Sequence, residues 1–274
     1  LSKPGFIDIP LAAKSALEIT LVANLITFSI GTMVVSLSKD RSVLRVCTMF
    51  LDDEKEPSPA KKKIWTMSKL MIKTEEKIIA KALEMFNERG IEYVGMRELA
   101  AVLAMRVSNI NYYFPTKDDL VNRLSLNLNK LNSQIVIDDK DLTIETFLEM
   151  FQKLFHNHLK FRCLLLSFVH LMDQNKRMSV RYKKTQSDRN ATLRLNLKTL
   201  VKSGYLKIDE EKENEFLVAA IALIVRFWIS EATVSLRHLT SGEQINHYVA
   251  MIGRLLSPYL SSKGKKQLQN VFES

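Results

Sequence analysis

Residues 77–120 read KIIAKALEMFNERGIEYVGMRELAAVLAMRVSNINYYFPTKDDL, and the helical periods in this stretch decide the fold. Apolar residues fall at Ile78, Ile79, Ala82, Leu83 and Phe86, the spacing of one helical face. Thr74 is placed to cap this helix. Glu75 and Glu76 lie in its first turn, where the helix dipole favours acids, and Gly90 stands where a left-handed C-terminal residue is wanted. Next, Met96, Leu99, Ala100 and Leu103 share one face of a short helix, and a second short helix opens a few residues on, at SNINYYF. Two short helices around a tight turn make a helix-turn-helix, whose second helix can enter a DNA major groove.

The order and spacing of these residues resemble the DNA-binding domain of the tetracycline-repressor (TetR) family. A first helix ends in Phe86 and Gly90, a Leu99-Ala100 pair sits in the second, Tyr112-Tyr113-Phe114 closes the third, and Lys117 opens the fourth. The resemblance implies an all-α protein, with an N-terminal three-helix helix-turn-helix DNA-binding domain and a C-terminal helical ligand-binding and dimerisation domain. It further implies a regulator, most simply a repressor, that binds a palindromic operator in double-stranded DNA as a homodimer and is released by a small molecule. Carried over residue by residue, it places Lys117 on a phosphate, Tyr112 and Tyr113 against the DNA backbone and thymine methyl groups, and Phe114 in the three-helix core. Val107, Ser108, Asn109 and Asn111 are then expected to read bases, since Asn pairs bidentately with adenine N6 and N7, and Arg97 and Arg106 complete the DNA-facing set.

Four positions depart from the family pattern. Ala104 stands where the turn usually has Gly, so the turn is expected to adjust or to be strained. Arg106 replaces the Ser that usually caps the third helix, forfeiting a cap worth about 1 kcal/mol while placing a guanidinium near the DNA. Val94 and Gly95 replace two hydroxyl residues that would donate to phosphate, and Asn111 replaces a frequent Tyr.

Outward from the motif, the 274-residue chain suits one or two domains and is poor in turn formers, with 8 Gly and 6 Pro, so long helices are expected. Its two cysteines, Cys47 and Cys163, cannot build a disulfide framework, and a reducing cytoplasm is the expected compartment. The net charge of +10 favours an anionic partner. It does not sit on the DNA-binding motif, however. Residues 71–133 carry nine bases and eight acids, whereas residues 160–207 carry twelve and two. A solvated basic helix face explains this, or some of Arg181, Lys183, Lys184 and Arg189 face an acidic effector such as a fatty acid or acyl thioester.

Four segments are expected: an upstream extension at 1–66, the helix-turn-helix domain at 67–122, the helical effector-binding and dimerisation domain at 123–260, and a tail at 261–274. Residues 19–38 carry no charge and are long enough for a membrane span, but Thr, Ser and Asn dilute them. Residues 52–63, DDEKEPSPAKKK, read as a linker. Three readings of the extension stand open: an upstream translation foreign to the native protein, with Met67 or Met71 as the start, a membrane anchor, or a weakly structured extension.

In the body, Thr143 is placed to cap a helix whose face carries Ile144, Phe147, Leu148, Phe151, Leu154, Phe155 and His158. FRCLLLSFVHLM, residues 161–172, is apolar nearly all round and is expected to be buried. Residues 177–203 form a basic helix ended by Gly204. By family analogy an effector pocket is expected from Phe151, His158, Cys163, Phe168, His170, Tyr182 and Trp228, and a dimer interface from Leu223, Phe227, Ile245, Val249, Ile252 and Leu256. His156 and His158 lie two apart on different helical faces, so no zinc site is expected. The chain has no Gly-rich phosphate loop, no G-x-S-x-G and no HExxH, and neither an enzyme activity, a cofactor nor a membrane partner is expected. The rival reading is a helical adaptor protein, attached to membranes through residues 19–38, with no DNA-binding role.

Overall fold

The computed structural model describes residues 3–10, 19, 20, 23, 32–51, 59–137 and 141–273, and the chain divides into two compact units, Leu1–Ile78 and Ile79–Ser274. The first unit contains a small sheet that the sequence reading overlooked. Strands β1 (Lys3–Pro10), β2 (Thr32–Leu37) and β3 (Val43–Leu51) pair antiparallel in the order β1-β3-β2. Leu44 and Val46 are buried from the central strand, while Arg45 between them points the other way and pairs with Asp8 at 2.8 Å, the period of two that a strand imposes. Asp40 organises the β2–β3 turn by accepting from the hydroxyls of Ser38 and Ser42 at 2.6 Å each, and these bonds hold its carboxyl down at about 2.

Of the uncharged run 19–38, therefore, Thr32–Leu37 is strand. Ile19, Thr20 and Ala23 are helical, Ser38 opens the turn, and residues 21, 22 and 24–31 lie outside the described residues. Hydropathy averaged over twenty residues cannot separate a β-branched strand from a helix. Helix α1 (Pro59–Arg89) also begins fifteen residues before Thr74, which corrects both the expected cap and the part of the linker at 59–63. Proline is pre-organised for a first helical position, and the lysines and methionines that follow are good helix formers. Residues 52–58 of the expected linker lie outside the described residues.

The second unit is all-α, as the sequence implies. After α1 come α2 (Met96–Val102), α3 (Val107–Tyr113), α4 (Lys117–Asn132), α5 (Ile144–Lys160), α6 (Arg162–Leu166), α7 (Phe168–Gln174), α8 (Lys176–Lys202), α9 (Glu211–Ser235), α10 (Ser241–Leu256) and α11 (Ser262–Glu273). Thr143 caps α5 with a reciprocal pair of bonds to Thr146, and α5 buries Ile144, Phe147, Leu148, Phe151, Phe155 and His158. Facing them are Leu197 and Leu200 of α8, Leu217, Ile221 and Trp228 of α9, and Ile245, Ile252 and Leu256 of α10. Gly204, at φ +76, ends α8 as expected.

Two expectations need correction here. FRCLLLSFVHLM is broken into α6 and α7 and is not wholly buried, since Leu166 and Val169 are exposed. The expected tail is the helix α11. Its Gln267 side chain accepts from the backbone N–H of Ile144 at 3.0 Å, and Leu268 and Val271 pack on the body core. With so few apolar residues in a polar segment, the helix is visible only once the surface it covers is known.

Candidate nucleic-acid interface and body cavity

The helix-turn-helix is built on α1. Ala82, Met85 and Phe86 are buried, Gly90 at φ +93 reverses the chain, and Ile91 and Val94 are buried after it. Val94 thus stands in the core, where a hydroxyl would be unfavourable. Arg89 and Glu98 fasten α1 to α2 through a two-pronged ion pair, at 2.5 and 2.9 Å.

Helix α2 ends in a left-handed turn. Ala104 has φ +52, its N–H donates to the Ala101 carbonyl at 3.1 Å, and the Met105 N–H donates to the Ala100 carbonyl at 2.9 Å. These two bonds form the Schellman arrangement that usually carries glycine. The chain keeps the turn and accepts the strain of a Cβ in it.

Helix α3 follows with Arg106 before its first residue, making no side-chain cap bond. Ile110 is fully buried and Phe114 nearly so. These two anchors turn the other side of α3 outward: Arg106, Ser108, Asn109, Asn111 and Tyr112 are exposed, and Val107 and Tyr113 half-buried. The rings of Tyr112 and Tyr113 meet edge to face, with centroids 5.1 Å apart. Arg97 is exposed on α2.

Thr116 and Asp119 start α4 with a capping box, the Thr116 hydroxyl accepting from the Asp119 N–H and the Asp119 carboxylate accepting from the Thr116 N–H. Lys117, its first residue, lies 5.9 Å from the centre of the Phe86 ring and donates to the Glu92 carbonyl at 3.4 Å. Partial burial lowers its pKa, against the opposing charges of Glu92 and Asp118. The ammonium is held by a long bond to one neutral carbonyl, an arrangement it can exchange for a phosphate.

In the body, a cavity of about 450 Å³ opens among α4 to α9. Of the seven residues expected there, Phe151, His158, Phe168 and Tyr182 line it. Trp228 lies buried outside the lining, its Nε1–H donating to His158 Nδ1 at 3.2 Å. Cys163 is buried away from the cavity, with its thiol pushed up to about 12 by burial, and His170 is exposed on α7. Arg181 and Arg189 line the cavity, whereas Lys183 and Lys184 are exposed and do not. Sequence reasoning missed Asn129, Asn132 and Arg226 in the lining. The only available signal was polar residues recurring at helical spacing between apolar ones.

The expected dimer residues divide sharply. Ile252 and Leu256 are 0% exposed and Ile245 and Val249 are also buried, all four inside the protomer's own core, so no second chain can reach them. A helix face that packs inward has the same spacing as one that packs on a partner. Phe227 is half-buried, while Leu223 is 57% exposed.

A buried short recognition-helix anchor with polar, aromatic and cationic side chains outward defines a helix-turn-helix transcription regulator. Residues 78–124 match the family described as bacterial regulatory proteins, tetR family, and residues 129–268 match TetR, described as bacterial transcriptional repressor. The chain belongs to the TetR family, whose members are DNA-binding transcription regulators and not enzymes. Residues 1–72 match a different family, described as Na+/H+ ion antiporter subunit. The chain is 32% identical over 73 residues to the HTH-type transcriptional regulator LuxR of Vibrio harveyi, a stretch that is 27% of this chain and 36% of that relative's length. A TetR-family regulator from Marinobacter aquaeolei VT8 shares the fold at a TM-score of 0.67, with 20% identity, over 73% of this chain and 97% of that one. One from Haloarcula marismortui does so at 0.53, with 16% identity, over 68% and 98%.

Two outcomes follow from this geometry. Ala104→Gly removes the Cβ from a left-handed position and is expected to raise stability by about 0.5–1 kcal/mol, less than the full strain because glycine also loosens the unfolded chain. Urea unfolding of the two proteins checks it. His158 has its pKa held down to about 3 by burial and then by the charge of Arg189, against 6.5 for the free group. The unfolded chain therefore binds the extra proton between those values. Stability present above pH 6.5 is lost as pH falls toward 3, by up to about 1.4 kcal/mol per pH unit. His158→Gln should flatten that slope in unfolding curves taken across this range.

Proposed function

We propose that the chain is a homodimeric, effector-released repressor acting in the cytoplasm, which binds a palindromic operator by placing α3 of each protomer in successive major grooves. The observation that carries this is the outward face of α3. Ser108, Asn109 and Asn111 offer donors and acceptors for base edges, and Tyr112, Arg106 and Lys117 flank them as backbone contacts.

Dimerisation is supported by α9. It is the one helix among the described residues long and apolar enough to cross a membrane, yet seven of its residues are buried in the protein core. Others of its apolar residues form a second stripe, with Phe216, Leu223 and Val234 exposed and Phe227 half-buried between them. A helix apolar on two sides, with one side already in the core, presents the other to a partner. Leu223 and Phe227 of the expected interface remain in this surface, and the four core residues of α10 leave it. Effector binding in the cavity would favour a body conformation in which the two recognition helices no longer match the groove spacing, which requires the effector to prefer that conformation.

Lys117→Ala is expected to weaken binding to operator and non-operator DNA alike and to lower the slope of log affinity against log salt by about 1, whereas Asn109→Ala changes sequence preference. Mobility assays across a salt series read both, and an unchanged slope in Lys117→Ala contradicts the docking. Leu223→Arg is expected to leave a folded monomer in analytical ultracentrifugation with reduced operator affinity. A dimer of undiminished stability would remove α9 from the interface.

A further inference from the structure

Helix α8 carries two populations of cations. On its outer side three have carboxylate partners: Arg177 pairs with Asp119, Arg194 with Glu215 and Lys198 with Glu211. Those lining the cavity do not. Among the described residues, Arg181 donates to the Asn122 Oδ1 and Ser125 hydroxyl at 3.2 and 3.3 Å, and Arg189 to Asn129 Oδ1 at 2.8 Å. Arg226 of α9 donates to the Tyr182 hydroxyl at 2.8 Å. Three guanidiniums thus share one cavity with neutral acceptors only. The single acid in the lining, Asp188, is exposed and pairs with none of them. Burying a cation without a counter-charge is unfavourable, and burial does depress the Arg189 and Arg181 pKa values.

Two neighbouring groups point the same way. Asn132 lines the cavity and accepts from the Asn157 side chain at 3.1 Å, but its own buried Nδ2 has no hydrogen-bond partner among the described residues. His158 accepts from Trp228 through Nδ1 and stays neutral, so it adds neither a charge nor a counter-charge. Phe151, Leu154, Leu164 and Phe168 give the cavity an apolar part of its lining.

We propose that this cavity binds an amphiphile with a single anionic head, a carboxylate or a phosphate, seated against Arg181, Arg189 and Arg226, with its tail along Phe151, Leu154 and Phe168. The binding stands on the cavity itself, and its regulatory consequence rests on the repressor reading above. That consequence follows from where the arginines now bond. Arg181 and Arg189 tie α8 to Asn122, Ser125 and Asn129, all on α4, the helix that begins at Lys117. A charged head forms stronger, bidentate bonds with guanidinium than an amide oxygen does. The ligand draws both arginines off α4 and loosens the hold of α8 on it, while the Arg177–Asp119 ion pair near the start of α4 stays in place.

The test uses the full chain without DNA and ligands of one tail length below their micelle concentrations: dodecanoate, dodecyl phosphate, dodecanol and dodecyltrimethylammonium, followed by titration calorimetry. At least one of the two anions is expected to bind tenfold or more tightly than the alcohol, with no binding of the ammonium. Equal binding of alcohol and anions, or tighter binding of the ammonium, overturns the proposal. Arg189→Gln is expected to lose at least tenfold in affinity for the preferred anion while dodecanol is unaffected, and retained anion affinity in a folded variant also overturns it. The comparison of heads on the unaltered chain decides the matter if that variant does not fold. Salt-dependent DNA binding, measured on the same preparation, separates the two readings. No anion preference with DNA binding intact overturns the cavity assignment alone, whereas anion preference without DNA binding overturns the regulatory reading alone.

Discussion

A helix of seven residues does not hold itself together in water, where isolated helices shorter than about 12 residues are marginal at best. Helix α3 exists because Ile110 and Phe114 are buried against its neighbours. The outward surface proposed to meet DNA follows from that attachment. The two anchors, four residues apart, set the rotation of α3, and the rotation decides that Ser108, Asn109, Asn111 and Tyr112 face outward. The turn before α3 sets its angle, and the chain retains that angle even with Ala104 in a left-handed conformation that disfavours a Cβ. Strain kept in a turn of this kind shows how narrowly the geometry between α2 and α3 is defined.

The same economy governs α4. It runs sixteen residues, from Lys117 to Asn132 in the wall of the cavity, so a single rod of about 24 Å joins the proposed phosphate contact to the proposed effector site. Rods transmit displacement and dissipate little of it. Besides the Arg177–Asp119 ion pair at its start, α4 is tied to α8 by bonds from Arg181 and Arg189 to neutral side chains, the kind most readily exchanged for a charged acceptor. The excess positive charge of the sequence, concentrated at residues 160–207 and not on the DNA-binding motif, is explained in part by these inward-turned guanidiniums.

What the sequence made legible was local. Gly90 and Gly204 end their helices at positive φ, Thr143 caps α5, and Ala104 and Arg106 depart from the family pattern with the physical effects their chemistry predicts. These features depend on a few consecutive residues and on backbone rules. What stayed hidden depended on which surface meets which. Ile245, Val249, Ile252 and Leu256 have the spacing of an apolar face, and no property of α10 by itself says whether that face meets the protomer or a partner. On α9 the composition carries more, since its apolar surface is wider than the core contact of the protomer covers. The sheet of the first unit was hidden because a run without charges invited a helical reading, although Thr32, Val34 and Val35 beside the Ser38–Ser42 turn carry a strand's composition. That unit, with its sheet, is also where the match to the antiporter-subunit family falls, outside the residues that match the TetR family.

The central claim is that two copies of α3 read paired DNA sites. Footprinting of the chain on genomic fragments that it retains as salt is raised tests this most directly. The account predicts protection in two inverted half-sites whose centres lie about one helical turn apart, on one side of the duplex. A single unpaired protected stretch, or retention without any preferred sequence, would contradict it.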